Sequence, residues 1–176
     1  MVKSYADDKR FSVGLRDGDQ YINGIKKDGR SVFIDGEKVD DVTVHPAFYQ
    51  AVRSIANLYD IASNPVNREL MTFTSPKIDL PVNKIWMIPK SKEDLEERRA
   101  AIECWSEATF GLMGRTPDHV AGFFVGWAAG LDIFDRNINK GRSQNLFNFF
   151  NYLRDHDLFV TYTIVPPQVD RSRPMH

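Results

Sequence analysis

Cysteine is all but missing from this chain: Cys104 stands alone among 176 residues. One thiol cannot build an internal disulfide framework, nor a four-cysteine zinc or iron–sulfur site. A surplus of charge is missing too. Twenty-three Lys and Arg against 24 Asp and Glu leave a formal charge of −1. That balance gives no electrostatic reason to expect nucleic acid or an anionic membrane as partner. No long hydrophobic run is present, since Val120 to Leu131, the longest apolar stretch, falls well short of the ~20 residues that span a bilayer. The opening Met1-Val2-Lys3-Ser4-Tyr5-Ala6-Asp7-Asp8 is polar and lacks the apolar core of a signal peptide. Repeats and low-complexity tracts are absent. A cytoplasmic protein is the expectation.

What is present has an ordinary globular composition, 42% hydrophobic and 27% charged, in a length that allows one domain with a real core. Residues 1–17 are polar and read as a flexible arm. Residues 19–25 suit a short helix closed by Asp28-Gly29, and residues 31–34 a strand that turns at Asp35-Gly36 into residues 37–39. From Pro46, the residues Phe48, Ala51, Val52, Ile55, Leu58, Tyr59 and Ala62 recur at helical spacing until Asn64-Pro65. An irregular stretch to Pro89 follows, with a short strand expected at 84–88. Ser91 reads as an N-cap, with Glu93 and Asp94 in the first turn of a helix running to about Leu112. Its inner face is expected to hold Leu95, Ile102, Trp105 and Thr109. Further helices start at Pro117 and near Arg142. Residues 158–165 are dense in β-branched and aromatic side chains and read as a buried strand. A strand needs partners, and only weak ones precede it.

The strongest local chemistry lies in Gly114-Arg115-Thr116-Pro117-Asp118-His119. Thr116 reads as an N-cap and Pro117 as the first helical residue, so unpaired N–H groups and a partial positive charge face the turn. Arg115 adds a full charge and a planar set of donors. An anion, or an oxygen becoming one, would be stabilised there. His119, one turn on, is of the residue type that exchanges protons near neutral pH. The plainer alternative is an arginine paired with a carboxylate beside an ordinary helix start. Gly122, Gly126 and Gly130 form a stripe that reads as a close packing face, with Phe123, Phe124 and Trp127 as core. Cys104 reads as a buried helix residue, His45 as part of a helix start, and His156 as a solvated loop residue.

Four segments then combine. His45-Pro46-Ala47-Phe48, Ala56-Asn57-Leu58-Tyr59-Asp60, Met113-Gly114-Arg115-Thr116-Pro117-Asp118 and Pro167-Gln168-Val169-Asp170-Arg171 follow one another at a spacing that resembles the 4-hydroxyphenylacetate 3-monooxygenase family. These are the oxygenase components of two-component flavin hydroxylases, and the resemblance runs over roughly residues 19–173. It implies a mainly α fold: the helical N-terminal domain of an acyl-CoA-dehydrogenase-like fold, with short β-strands and the first strand of a missing β-domain. The implied organisation is an arm over 1–17, a helical domain over 18–157, and the start of a middle β-domain over 158–176.

The family's chemistry implies FAD, supplied reduced (FADH2) by a separate flavin reductase, with O2 and a phenolic substrate hydroxylated beside its hydroxyl. A homotetramer is implied for the full-length enzyme. By position, Arg115 matches the arginine that contacts the phenol oxygen. His119 stands where the phenylacetate hydroxylases have tyrosine, and Tyr162 where they have histidine, so two residue types are exchanged. Tyr162, Thr163, Ile164, Val165, Gln168, Val169, Asp170 and Arg171 match the segment that lines the reduced flavin. No metal site is expected. A related branch, the 4-hydroxybutyryl-CoA dehydratases, needs cysteines near positions 109 and 113, which here hold Thr109 and Met113. A truncated, non-catalytic domain that associates with full-length relatives remains the alternative from another class.

Overall fold

The computed structural model describes residues 11–136 and 141–162. Helix α1 (Gly18–Lys27) starts on a reciprocal cap, in which Asp17 Oδ1 accepts from Gln20 N at 2.7 Å and Gln20 Oε1 accepts from Asp17 N at 3.0 Å. The hairpin follows, β1 (Val32–Ile34) to β2 (Glu37–Val39), in antiparallel register with Val32 opposite Val39. Its two-residue turn needs positive φ at both positions, which Asp35 (50°) and Gly36 (86°) adopt. Helix α2 (Tyr49–Ser63) starts three residues later than the Pro46 start expected. His45 holds the turn before it, its Nδ1 accepting from Ala47 N at 3.2 Å.

A short helix α3 (Arg68–Met71) leads into β3 (Thr72–Thr74), which pairs antiparallel with β4 (Pro81–Asn83). The strand expected at 84–88 is instead a turn of 3-10 helix at Lys84–Trp86, because Asn83 Oδ1 accepts from Ile85 N at 3.2 Å and turns the chain. Helix α4 (Lys92–Ala108) opens on the Ser91 cap as read from the sequence, with Asp94 as its reciprocal partner. It stops before Leu112. Thr109 turns its hydroxyl back to Trp105 O at 2.9 Å, and Phe110 (φ 53°) and Gly111 (φ 67°) leave helical space. Leu95 lies exposed rather than inward, and Cys104 is only half-buried, its thiol pushed up by burial and by Glu107. Helices α5 (Asp118–Ala129) and α6 (Arg142–Asp155) complete the order.

The core sits between α2, α4, α5 and α6 and holds Leu58, Met71, Ile85, Trp86, Trp105, Val125 and Phe150. Trp105 Nε1 donates to Leu58 O at 2.9 Å, so the indole fills volume and ties α4 to α2 without leaving a buried donor unpaired. A smaller cluster of Tyr21, Val52, Ala56 and Tyr59 joins α1 to α2. No helix among the described residues is long and apolar enough to cross a membrane.

Three expectations change. The arm over 1–17 is anchored in its described part: Gly14 N donates to Asp155 O at 2.7 Å, Leu15 N to Pro81 O at 2.8 Å, and Arg16 is only 3% exposed. His156, expected in solvent, is buried, with Nδ1 3.0 Å from Ser12 O. The expected strand over 158–165 is not formed over 158–162, and residues 163–165 lie outside the described part.

The end of α6 explains the anchoring. Leu158 N donates to Leu153 O at 2.9 Å and Asp157 N to Arg154 O at 3.1 Å, the paired bonds of a Schellman closure. Its left-handed position falls on Asp157 (φ 45°), where glycine is usual.

Two predictions follow from this packing. A Cβ on Gly18 would stand 2.6 Å from Asp60 Oδ2 and 2.7 Å from Ala56 O. Gly18→Ala is expected to push α1 off α2 and cost about 1–3 kcal/mol in urea unfolding. Burial raises the Asp157 carboxyl to about 6, although the Arg16 cation opposes it. The folded chain therefore holds this proton more tightly than the unfolded one. Stability from this group is complete below the unfolded value near 4 and is lost as pH rises through about 6, by up to ~3 kcal/mol. In Asp157→Asn, which tolerates the same φ, this component is expected to vanish from unfolding midpoints compared with the parent between pH 4 and 7.

Candidate functional site

Helix α5 does not begin as its sequence reads. Thr116 spends its hydroxyl on the Asp118 carboxylate, and Pro117 takes the N-cap place in helical conformation with no side-chain cap. The hydroxyl donates to that carboxylate, a charge-assisted bond, and its oxygen caps no helix N–H. No side chain closes the start of α5, although His119 N donates to Thr116 O at 3.1 Å. Arg115, exposed, stands just before it.

Three residues named from the sequence meet here. The Arg115 guanidinium carbon lies 5.3 Å from the centre of the Tyr162 ring, a cation–π contact, and its Nη1 is 3.5 Å from Tyr162 O. The His119 ring stacks on Tyr162 with centroids 5.8 Å apart and planes 18° apart. His119 and Tyr162 are 43 positions apart in sequence, so only the return of the chain after α6 brings them together. The exchange of residue types therefore places a histidine and a tyrosine side by side. His119 Nε2 is buried and finds no hydrogen-bond partner among the described residues. A buried imidazole nitrogen without a partner carries a desolvation cost that a ligand hydrogen bond would remove.

The same helix face continues as an aromatic shelf. Phe123 meets His119 edge-on at 5.4 Å and Tyr162 at 5.6 Å, and Trp127 stacks beyond it at 6.4 Å. These two rings were expected in the core; they are 42% and 45% exposed. Helical spacing holds the reason: 119, 123 and 127 lie one turn apart on one stripe, while Ala121, Val125 and Ala128 take the buried face. Phe124 alone turns toward the interior, against Phe149 at 5.5 Å. The glycine stripe does not serve close packing either. A Cβ at Gly126 would meet nothing within 4 Å, one at Gly122 only Arg98 Nη2 at 3.6 Å, and one at Gly130 Ile133 Cδ1 at 3.5 Å, so no tight contact presses on the stripe and Gly126 borders open space.

A cavity of about 610 Å3 lies elsewhere, between α1, the hairpin, α2 and residues 158–161, and neither Arg115 nor His119 lines it. Its walls include Tyr21, whose hydroxyl burial pushes up to about 12. Arg16, Arg30 and Asp28 also stand in its wall, so the cavity has charged groups of its own, apart from those gathered at the start of α5. Of the residues matched to the flavin segment, Tyr162 is described; Thr163, Ile164, Val165, Gln168, Val169, Asp170 and Arg171 lie outside the described residues.

Comparison with known proteins agrees on one group. The family model "4-hydroxyphenylacetate 3-hydroxylase N terminal" matches residues 17–176. The 4-hydroxyphenylacetate 3-monooxygenase oxygenase component of Thermus thermophilus is 37% identical over 159 residues, covering 90% of this chain and 32% of that protein. The chain thus spans about a third of the length of the curated relatives it matches. A crystal structure of such an oxygenase component, complexed with FAD and 4-hydroxyphenylacetate, superposes with a TM-score of 0.79 at 37% identity, over 90% of this chain and 32% of that one. A 4-hydroxybutyryl-CoA dehydratase from N. maritimus superposes at 0.73 with 21% identity over 91% of this chain and 31% of that one, which shows a shared fold.

The unpartnered nitrogen makes a stability prediction. His119→Leu removes a buried polar atom that no described group satisfies, so it is expected to leave the unfolding free energy in urea unchanged or to raise it by up to ~1 kcal/mol. A clear loss of stability would mean that His119 belongs to the packing and not to a site.

Proposed function

The chain belongs to the 4-hydroxyphenylacetate 3-hydroxylase family, and on that premise we propose that it is the N-terminal part of a two-component phenol monooxygenase. This enzyme would use reduced FAD from a separate reductase, and O2, to hydroxylate a phenol ortho to its hydroxyl. The observation that carries the reading is the meeting of Arg115, His119 and Tyr162, with His119 Nε2 buried and without a partner among the described residues, beside an exposed cation.

The physical chemistry suits a phenol oxygen. A free phenol holds its proton to a pH of about 10, as tyrosine does. The Arg115 guanidinium, beside an uncapped helix start, favours the phenolate form. His119 Nε2 accepts the proton in the neutral tautomer that carries its hydrogen on Nδ1. Negative charge on the oxygen enriches the ortho carbon in electrons, which prepares it to receive an electrophilic oxygen atom. Phe123 and Trp127 offer ring faces along which the substrate's apolar body can lie. The reduced FAD supplies the oxygen chemistry when bound. Tyr162, Thr163, Ile164, Val165, Gln168, Val169, Asp170 and Arg171 are the residues proposed to line it. The domain organisation, with residues 158–176 leading into a β-domain, the tetramer and the cytoplasmic location belong to the same proposal.

The test is Arg115→Ala in the oxygenase that carries this segment, assayed with reductase, FAD, NADH and a phenol panel. Catechol formation is expected to fall by about 10²–10³, the usual loss for removing one charge-stabilising donor, while hydrogen peroxide continues to form. Undiminished hydroxylation would overturn the site.

A further inference from the structure

Tyr162 reaches the site on a segment that no sheet holds, since residues 158–162 follow α6 without regular structure. The start of this segment is held by the Leu158 N bond to Leu153 O at 2.9 Å, by packing of Leu158, Phe159 and Val160 against the two cores, and by a clamp on one carbonyl. Asp157 O accepts from Arg16 Nε at 2.9 Å, from Arg16 Nη2 at 2.5 Å, and from the Tyr59 hydroxyl at 3.0 Å. Arg16 Nη2 also donates to Tyr59 Oη at 3.1 Å, and Arg16 N to Asp157 Oδ2 at 3.2 Å. Tyr21 stacks on Tyr59 at 4.9 Å and helps close the group from solvent. Asp157 is also the left-handed residue at which the chain leaves the helix. Its carbonyl direction therefore sets the direction in which residues 158–162 depart.

We propose that Arg16, with Tyr59, is a positioning residue for the phenol site: by holding the Asp157 carbonyl it aims residues 158–162 so that the Tyr162 ring lies against Arg115 and His119. The functional part of this rests on the phenol reading above; the geometric part does not. A lysine keeps the charge at position 16 but loses the planar fork that places two donors on one oxygen. Packing alone would be served by any side chain that fills the volume. The clamp requires donors aimed at the 157 carbonyl and is indifferent to the Asp157 side chain.

His119 lies against the Tyr162 and Phe123 rings, so its ring-proton NMR signals are displaced by ring currents. Tyr162→Ala in the 176-residue chain identifies the part due to Tyr162. Arg16→Lys is expected to lose that part, and Tyr59→Phe to diminish it. Asp157→Asn, which keeps the carbonyl, is expected to retain it. The Trp105 indole N–H signal, held by Leu58 O, reports that the core is intact. A His119 signal unchanged in Arg16→Lys with the Trp105 signal in place overturns the proposal, as does a His119 signal indifferent to Tyr162→Ala. Should Arg16→Lys unfold, Tyr59→Phe decides: loss supports the clamp, and an unchanged signal on an intact core overturns it. No phenol or flavin enters this experiment, so its failure is separate from a failure of the Arg115 assay.

Discussion

A guanidinium that is 3% exposed must find acceptors, and Arg16 finds them on the Asp157 carbonyl and the Tyr59 hydroxyl. Much of the chain is organised around that requirement. The segment from Ser12 to Arg16 is drawn against the end of α6, where Gly14 N meets Asp155 O and Ser12 O lies 3.0 Å from His156 Nδ1. Asp155 in turn accepts from Ser75 Oγ at 2.7 Å, which brings in the β3–β4 hairpin. The four residues Arg154, Asp155, His156 and Asp157 are all buried, an unusual run for charged side chains. They are tolerated because hydrogen bonds from three distant parts of the chain meet them. The Asp157 carboxyl still feels the burial, as its raised proton affinity records.

The site at the start of α5 follows a different economy. The aromatic shelf of Phe123 and Trp127 is exposed, and Gly126 beside it borders open space. His119 Nε2 is buried without a partner among the described residues. Each of these costs stability by itself, and they lie together on one helix face. Burial of charge at the end of α6 is met by hydrogen bonds except at Arg154 Nη2 and Asp155 Oδ2, which, like His119 Nε2 at α5, find no partner among the described residues. Fold neighbours with different chemistry, such as the dehydratase at 21% identity, show that the scaffold does not choose the reaction.

Local signals were legible in the sequence because they act within a few residues. The Ser91–Asp94 cap, the Asp35-Gly36 turn and the start of α6 at Arg142 formed where their residues point. Arg115, His119 and Tyr162, singled out through resemblance to a family, do meet in space. Local competition spoiled other readings. Asn83 turned an expected strand into a 3-10 turn, and the Thr116 side chain turned to the Asp118 carboxylate instead of capping α5.

The sequence by itself determined the helical class, the Asp35-Gly36 hairpin turn and the chemical inventory at the start of α5. Each of these depends on side-chain type and on spacing of four residues or fewer. Only the tertiary structure decided that the polar segment before α1 is anchored, that His156 is buried, and that Phe123 and Trp127 face outward. The Arg16–Asp157 bonds span 141 positions, and no local period carries such a pairing. Whether a polar residue is solvated or buried, and whether a ring is core or shelf, is set by what the rest of the chain brings against it.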